Sequence, residues 1–500
     1  MGNAFPRDIP ELWVFRKEVL MDVQTSQSYE VSDPTRWYVL FFACVGLFMT
    51  VLDSTIVNVA LPMLGADLGF SESSLVWVVN GYMVPFSGFL PLSGRLGDYY
   101  GYRRVFLLGV GLFCVASLGC GLASSATMLV SARVVQGIAA AVISAVSVPF
   151  AMRQFRVTSE RARALGVLGC VSGAGSSIGL VLGGILTTDI SWRWIFLVNI
   201  PLGLLVFAFR SAFRTVGYGR RTRRLDIGGA VTITTALLLA VFSILGLAES
   251  GWRSVRVLLP MGIGIPCLFL FLAFEARACE PVLPVGLFRV GNFSAGVLIG
   301  ALWTAAQLAW FFLCTLYLQR VLLYSPLQVG LAFLPSNLLL AVLLLKVSAS
   351  LIQRYGIRWP LVLGLLLIAA GLALFSRAPV NGTFLVDVLP PMVLLGLGCG
   401  VASGPFLLAA LAGIRDMDYG VAFGVLKSCT VMGAALSLAI LASMTATHTR
   451  RLLDETVSLP AALNSGYHLA FGVSAAMTCV AAVIALKFLR FDKGKESETA

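Results

Sequence analysis

Histidine is almost missing from this chain. His448 and His468, both near one polar loop, are the two among 500 residues, which argues against a histidine proton relay or a histidine-built metal cage. Charge is scarce as well, at 12% of residues against about 25% in soluble domains. Acidic residues are rarer still within the apolar stretches. Asp53 is the one carboxylate deep inside any of them, and Glu249 and Glu275 stand at their ends. The ten cysteines, Cys44, Cys114, Cys170, Cys399 and Cys479 among them, mostly lie within apolar stretches and lack metal-type spacing, so they read as small hydrophobes. A membrane enzyme needs converging acids, histidines or a metal set at one depth, and one aspartate does not supply them. The net charge of +12 raises nucleic acid as a partner. The clusters at Arg153–Arg163 and Arg220–Arg224, however, fall in short loops between apolar runs, where they face anionic lipid, so no nucleic acid is expected.

What is present is apolar residue, 58% of the chain. A spanning helix needs ~20 mostly apolar residues to cross about 30 Å of hydrocarbon. Such runs fall near 37–61, 74–94, 104–123, 127–150, 164–186, 194–213, 227–248, 255–274, 292–318, 327–350, 359–377, 385–412, 421–447 and 467–489. The expected fold is therefore an all-α membrane protein with fourteen transmembrane helices. The first run is too long, and starts too far into the chain, for a cleavable signal. An even number of crossings puts both termini on one side. With that side cytoplasmic, the inner loops hold most of the 36 Lys and Arg, as the positive-inside rule requires.

Internal repetition points the same way. Tyr100-Gly101-Tyr102-Arg103 follows the second run and Tyr355-Gly356-Ile357-Arg358 the tenth. If the seventh and eighth helices are an insertion, the two loops occupy equivalent places in two six-helix units. This divides the chain into an N-terminal tail (1–36), a first bundle (37–213), a two-helix insertion (214–291), a second bundle (292–489) and a C-terminal tail (490–500). Repeated halves rocking about a midplane site are the physical basis of alternating access.

Four motifs then carry a resemblance. Gly94-Arg95-Leu96-Gly97-Asp98-Tyr99-Tyr100-Gly101-Tyr102-Arg103-Arg104 resembles the loop signature of the major facilitator superfamily. Leu52-Asp53-Ser54-Thr55-Ile56-Val57-Asn58-Val59-Ala60-Leu61-Pro62 is similar to the first-helix signature of its fourteen-helix drug:proton antiporter branch. So are the run from Trp192 through Asn199 to Pro201, and Tyr317-Leu318-Gln319 followed by Ser325-Pro326. The resemblance covers essentially the whole chain. It implies a multi-pass efflux pump of the cell membrane, a lipid bilayer as environment, a small amphipathic substrate and protons as the coupled species; a monomer is expected as the working unit, and the preponderance of arginine over lysine points to a bacterial source. No cofactor is implied; the proton gradient supplies the energy.

The residues have physical reasons of their own. A mid-membrane carboxylate costs at least ~2.5 kcal/mol on insertion scales and is a functional hypothesis by default. Asp53 is thus the candidate proton site, with a structural carboxylate as the alternative. Arg133, in Arg133-Val134-Val135-Gln136-Gly137, comes within a helical turn of it in depth at ~1.5 Å per residue, so the two can pair or exchange partners. A permanent ion pair with no role in the cycle is the alternative. In the loop motif, Gly94, Gly97 and Gly101 allow a tight turn. Asp98 can meet Arg103, Arg104 or a helix N-terminus, and the resemblance makes this a latch on the outward-open state; a solvated turn is the bland reading. Gly175, Gly179, Gly183 and Gly184 match the antiporters' fifth-helix motif and allow close packing. Leu180 stands where that motif has proline, which leaves the direction of transport open. Lys427 is placed near the cytoplasmic end of its helix, free to snorkel. Trp77, Tyr82, Trp303, Gln307, Trp310 and Asn337 are candidates for the substrate cavity. The function expected is proton-driven export of drug-like or antibiotic compounds, neutral or weakly acidic ones at least as well as cations. The alternatives are a carrier for one endogenous metabolite and a non-transporting receptor or scaffold on the same fold.

Overall fold

The computed structural model describes residues 35–71, 74–152, 154–155, 158–210, 227–250, 253–277, 285–414 and 419–489, and all regular structure among them is helical. The two tails, the loop holding Arg220–Arg224 and the side chain of Asp98 lie outside the described residues.

In chain order the helices are α1 (Thr35–Leu68), α2 (Val76–Tyr100), α3 (Tyr102–Gly121), α4 (Ala126–Met152), α5 (Thr158–Asp189), α6 (Trp194–Leu197) and α7 (Asn199–Ala208). Next come α8 (Ile227–Ser250), α9 (Val255–Arg277), α10 (Gly291–Leu316), α11 (Pro326–Val342), α12 (Ser348–Tyr355), α13 (Arg358–Phe375), α14 (Leu389–Leu411), α15 (Tyr419–Asp454) and α16 (Leu459–Phe488). Among the described residues, 10 helices are long and apolar enough to cross a membrane, and Trp194–Ala208 and Pro326–Val342 are shorter apolar ones.

Several boundaries depart from the apolar runs. The run at 194–213 breaks into α6 and α7 and ends at Ala208. The run at 327–350 carries a π turn at Leu343–Val347 between α11 and α12, and another π turn at Phe384–Val388 opens α14. α15 and α16 are longer than their runs, at 36 and 30 residues, because polar residues continue the helix beyond the apolar core.

Local chemistry sets these ends. Ser325 caps α11 with a capping box: its hydroxyl accepts from the Gln328 amide at 3.3 Å, and the Gln328 side chain accepts from the Ser325 amide at 2.9 Å. Pro326 follows at the first helical position, where its missing N–H has no intrahelical use. Gly101 turns the chain from α2 into α3 with φ +89°, and Gly356 turns it from α12 into α13 with φ +72°. Only glycine takes that backbone without strain, so both glycines of the Tyr-Gly-x-Arg echo sit at the same kind of sharp corner.

Successive helices alternate in direction, except that α7 continues α6 and α12 continues α11, and this defines two ends. At the end where α1 starts and α16 finishes, the tail end, Arg36 pairs with Glu160 at 2.7 Å. At the opposite, far end, Arg193 pairs with Asp67 at 2.9 Å. Helices α1–α5 pack together through α1·α5, α2·α4 and α3·α4, with α7 on α3, and α10–α16 pack through α13·α14, α10·α15 and α13·α16. These two groups are called the first and second halves, and the contacts α5·α11 and α2·α15 form the seam between them. α8 packs beside α2 and α15, and α9 packs on α8, leaving a broad strip of exposed apolar side chains that includes Leu258, Phe269 and Leu272, as expected of a lipid-facing surface.

Candidate functional site

The centre of the first half is a sealed polar network. Asp53 on α1 is 0% exposed and Arg133 on α4 is 1% exposed, and the two form an ion pair through Arg133 Nη1 and Asp53 Oδ2. The other carboxylate oxygen, Oδ1, accepts from Gln136 Nε2 at 2.7 Å and from Asn199 Nδ2 at 3.1 Å. Gln136 stands one helical turn after Arg133, on the same face of α4, and also accepts from Arg133 Nη1 at 2.8 Å and donates to Ser117 Oγ at 2.8 Å. Arg133 Nε donates to the Val78 carbonyl of α2 at 3.0 Å. The guanidinium lies 4.4 Å from the centre of the Tyr82 ring and 5.6 Å from that of Phe196, a cation–π arrangement on two sides. Gly137 allows this closeness: a Cβ there would meet the Tyr82 carbonyl oxygen at 2.3 Å. Helices α1, α2, α3, α4 and α7 therefore all converge on one carboxylate.

The sequence identified Asp53 and Arg133 but not their supports. Gln136, Ser117 and Asn199 are neutral and separated in the chain by tens of residues, so nothing in composition marks them. The signal available was position: Gln136 at i+3 from the buried arginine, and Asn199 inside the Trp192–Pro201 motif.

The glycines of α5 have two partners. A Cβ on Gly175 would approach Val51 and Phe48 at 3.3–3.4 Å, one on Gly179 would meet Thr55 Oγ1 at 2.3 Å, and one on Gly183 would meet Ile56 at 2.8 Å, all on α1. Gly184 faces the second half, where a Cβ would sit 2.7 Å from Leu327 Cα. Leu180 is wholly buried, and its carbonyl oxygen lies 2.5 Å from where a Cβ on Gly330 would stand. Gln319 Nε2 donates to the Val59 carbonyl at 2.7 Å. These contacts close the far end between the halves. Overpacking of this kind costs about 1–3 kcal/mol, so Gly330→Leu is expected to force the seam apart. A cysteine at Val59, read with a membrane-impermeant maleimide, should then react at least about fivefold faster; an unchanged rate would show that the seam tolerates the bulk.

The remaining candidates are placed as follows. In the loop motif, Gly101 takes the positive φ, and a Cβ on Gly97 would strike the Tyr102 ring at 2.8 Å, whereas Gly94 faces open space. Arg103 Nη2 donates to the Arg210 carbonyl at 3.1 Å, a contact within the first half, and Arg104 is exposed. Trp303, Gln307 and Trp310 follow one face of α10 at i, i+4 and i+7. Trp303 meets Phe406 edge-on at 5.3 Å, and Trp310 packs on Phe333 of α11 at 5.4 Å, four residues before Asn337. The three α10 residues share one face, and Asn337 lies one helical turn along α11 from the Phe333 that Trp310 meets. Trp77 instead packs on Phe242 of α8 at 5.9 Å. Tyr82 belongs to the wall of the charged network, its hydroxyl donating to the Thr50 carbonyl at 3.2 Å.

Known proteins resemble the chain along most of its length. Residues 43–438 match the family model described as Major Facilitator Superfamily. A cephamycin export protein of Amycolatopsis lactamdurans is 36% identical over 92% of this chain and 93% of its own. A puromycin resistance protein of Streptomyces alboniger is 35% identical over 91% of each chain. A lincomycin resistance protein of Streptomyces lincolnensis is 36% identical over 82% of this chain and 84% of its own. Among solved structures, an auto-inhibited POT family peptide transporter superposes with TM-score 0.66 at 16% identity, covering 91% of this chain and 98% of that one. The xylose transporter XylE of E. coli, in an inward-open conformation, gives 0.61 at 15% identity over 92% and 98%. These two likenesses speak for the fold alone.

Proposed function

This chain belongs to the major facilitator superfamily, and from that premise we propose that it exports small amphipathic compounds of the antibiotic kind out of a bacterial cell in exchange for protons. The relatives named for cephamycin, puromycin and lincomycin support the substrate class. The single observation behind proton coupling is the ring of donors around Asp53: Arg133, Gln136 and Asn199 hold one buried carboxylate with no exposed surface.

The geometry supports a route from protonation to movement. Neutralising Asp53 removes half of the ion pair, yet Arg133 keeps the Val78 carbonyl, Gln136 Oε1 and the Tyr82 ring, so the arginine is not left without partners. Val78 is two residues before Asn80, whose side chain donates across the seam to the Ala435 carbonyl of α15 at 3.0 Å. A shift of Arg133 thus bears on the helix that joins the two halves. Because neither member of the pair meets solvent with the far end closed, proton access requires the other conformation, and this is the coupling an antiporter needs.

In this reading the chain crosses the bilayer fourteen times, with α6 and α7 forming one crossing and α11 and α12 another, and α8 and α9 are inserted between two six-helix bundles. The tail end is cytoplasmic because it carries most of the Lys and Arg. Asp98, Arg103 and Arg104 form the latch, the α5 glycines govern far-end closure, and one chain suffices. The test uses everted membrane vesicles carrying the protein and a fluorescent amphipathic dye. Dye uptake should follow an imposed proton gradient and stop when a protonophore is added. Uptake that persists after the gradient collapses would overturn proton-driven export.

A further inference from the structure

Lys427 lies well inside its helix, not at the start of it. α15 begins at Tyr419, so Lys427 lies eight residues, or roughly 12 Å, inside it. The next residue, Ser428, is buried and donates its hydroxyl to the carbonyl of Ser87, which is the middle of α2 (Val76–Tyr100). Lys427 therefore sits beside the seam between the two halves, level with the centre of a spanning helix.

Its surroundings show which way it points. Residues 423, 427, 431, 434 and 438 share one face of α15 by their three- and four-residue spacing. Phe423 is 46% exposed and Lys427 is exposed, but Val431 is 6%, Ala434 1% and Leu438 0% exposed. A strip facing lipid stays open along the length of a helix. A strip open toward the tail end and sealed toward the far end is the wall of a cleft that narrows inward, matching the far-end closure at Gly184 and Gly330. Lys427 stands at the blind end of that cleft.

The chemistry there is one-sided. The Lys427 ammonium has no hydrogen-bond or ion-pair partner among the described residues, whereas the other described deep cation, Arg133, is paired with Asp53. A cation at that depth is costly unless something compensates it. Gly300 of α10 lies against Thr430, which sets the two parallel helices in register. Trp303 is three residues deeper and Lys427 three residues shallower, roughly 9 Å apart along the axes. Asn337 Nδ2 is a donor with no acceptor on a side chain 6% exposed, one helical turn from the Phe333 that packs on Trp310, and the buried Trp303 Nε1 has only the Cys399 sulfur to meet. Donors without acceptors are suited to an acceptor-rich, negatively charged ligand.

We propose that Lys427 is the counter-ion of the substrate cleft and that the preferred substrates are amphipathic organic anions, carboxylates or sulfonates, with their apolar bodies toward Trp303 and Phe406. The proposal rests on the export reading only in calling the cleft a substrate site. The test compares two dyes of one skeleton, anilinonaphthalene sulfonate and the uncharged N-phenylnaphthylamine, titrated by fluorescence against the purified full chain. Wild type should favour the sulfonate. Lys427→Gln should lower the sulfonate-to-neutral affinity ratio by about tenfold, and Lys427→Arg should keep it. A ratio unchanged in Lys427→Gln, or no preference for the sulfonate in wild type, overturns the proposal. A variant that fails to purify is replaced by Lys427→Met, read on the same ratio. Binding is measured without a gradient, so the proposal can hold if proton-driven uptake fails, and fail if uptake holds.

Discussion

Asp53→Asn is expected to abolish substrate-driven proton flux in reconstituted vesicles while leaving the protein inserted and folded. Asparagine keeps the size and one acceptor oxygen, so Gln136 and Asn199 retain a partner on α1. Arg133 loses its counter-ion but keeps the Val78 carbonyl, the Gln136 side chain and the Tyr82 ring. No other described carboxylate lies deep in a helix to take over the proton. Flux should therefore fall to the level of empty vesicles, whereas substrate binding, proposed above to involve Lys427 and Trp303, should persist. Asp53→Glu should keep part of the flux with a displaced pH optimum, since the site still titrates in altered geometry. If the Asn variant exchanges substrate for protons at the wild-type rate, the carboxylate is structural and the coupling lies elsewhere.

The helical, membrane-embedded class of the chain was legible because apolar runs of spanning length are a composition signal that tertiary structure does not disturb. The pairing of Asp53 with Arg133 was legible because each is rare at its depth and a buried charge demands a partner. The neutral members of the network were not, since Ser117, Gln136 and Asn199 become informative only when three-dimensional packing brings α3, α4 and α7 onto α1. Lys427 was expected near the cytoplasmic end of its helix, and its place beside the seam was not legible for a related reason. Hydropathy counts place it near the start of a run, but its depth is set by the seam contact of Ser428 with Ser87, which no local pattern encodes. The partners of Tyr82 and Trp77 were not legible either: each was expected only as a cavity candidate, and the structure sets Tyr82 against Arg133 and Trp77 against Phe242 of α8.

Removing the arginine instead of the aspartate separates stability from coupling. Arg133→Met leaves a buried carboxylate with amide donors but no counter-charge, and breaking a buried pair on one side costs about 3–5 kcal/mol. The thermal transition of the purified variant should fall by several degrees. Combining it with Asp53→Asn removes both charges, and a buried ion pair replaced on both sides is often neutral for stability. The double variant should thus regain most of the lost transition temperature, with Gln136 and Asn199 now bonding to the asparagine. Transport should not return, because no proton site remains. This pattern, recovered stability with absent flux, identifies the pair as a device for coupling whose stabilising role is replaceable. A double variant as unstable as Arg133→Met alone would mean that the guanidinium holds α2 and α4 together mainly through the Val78 carbonyl and Tyr82, and that its charge is incidental to the fold.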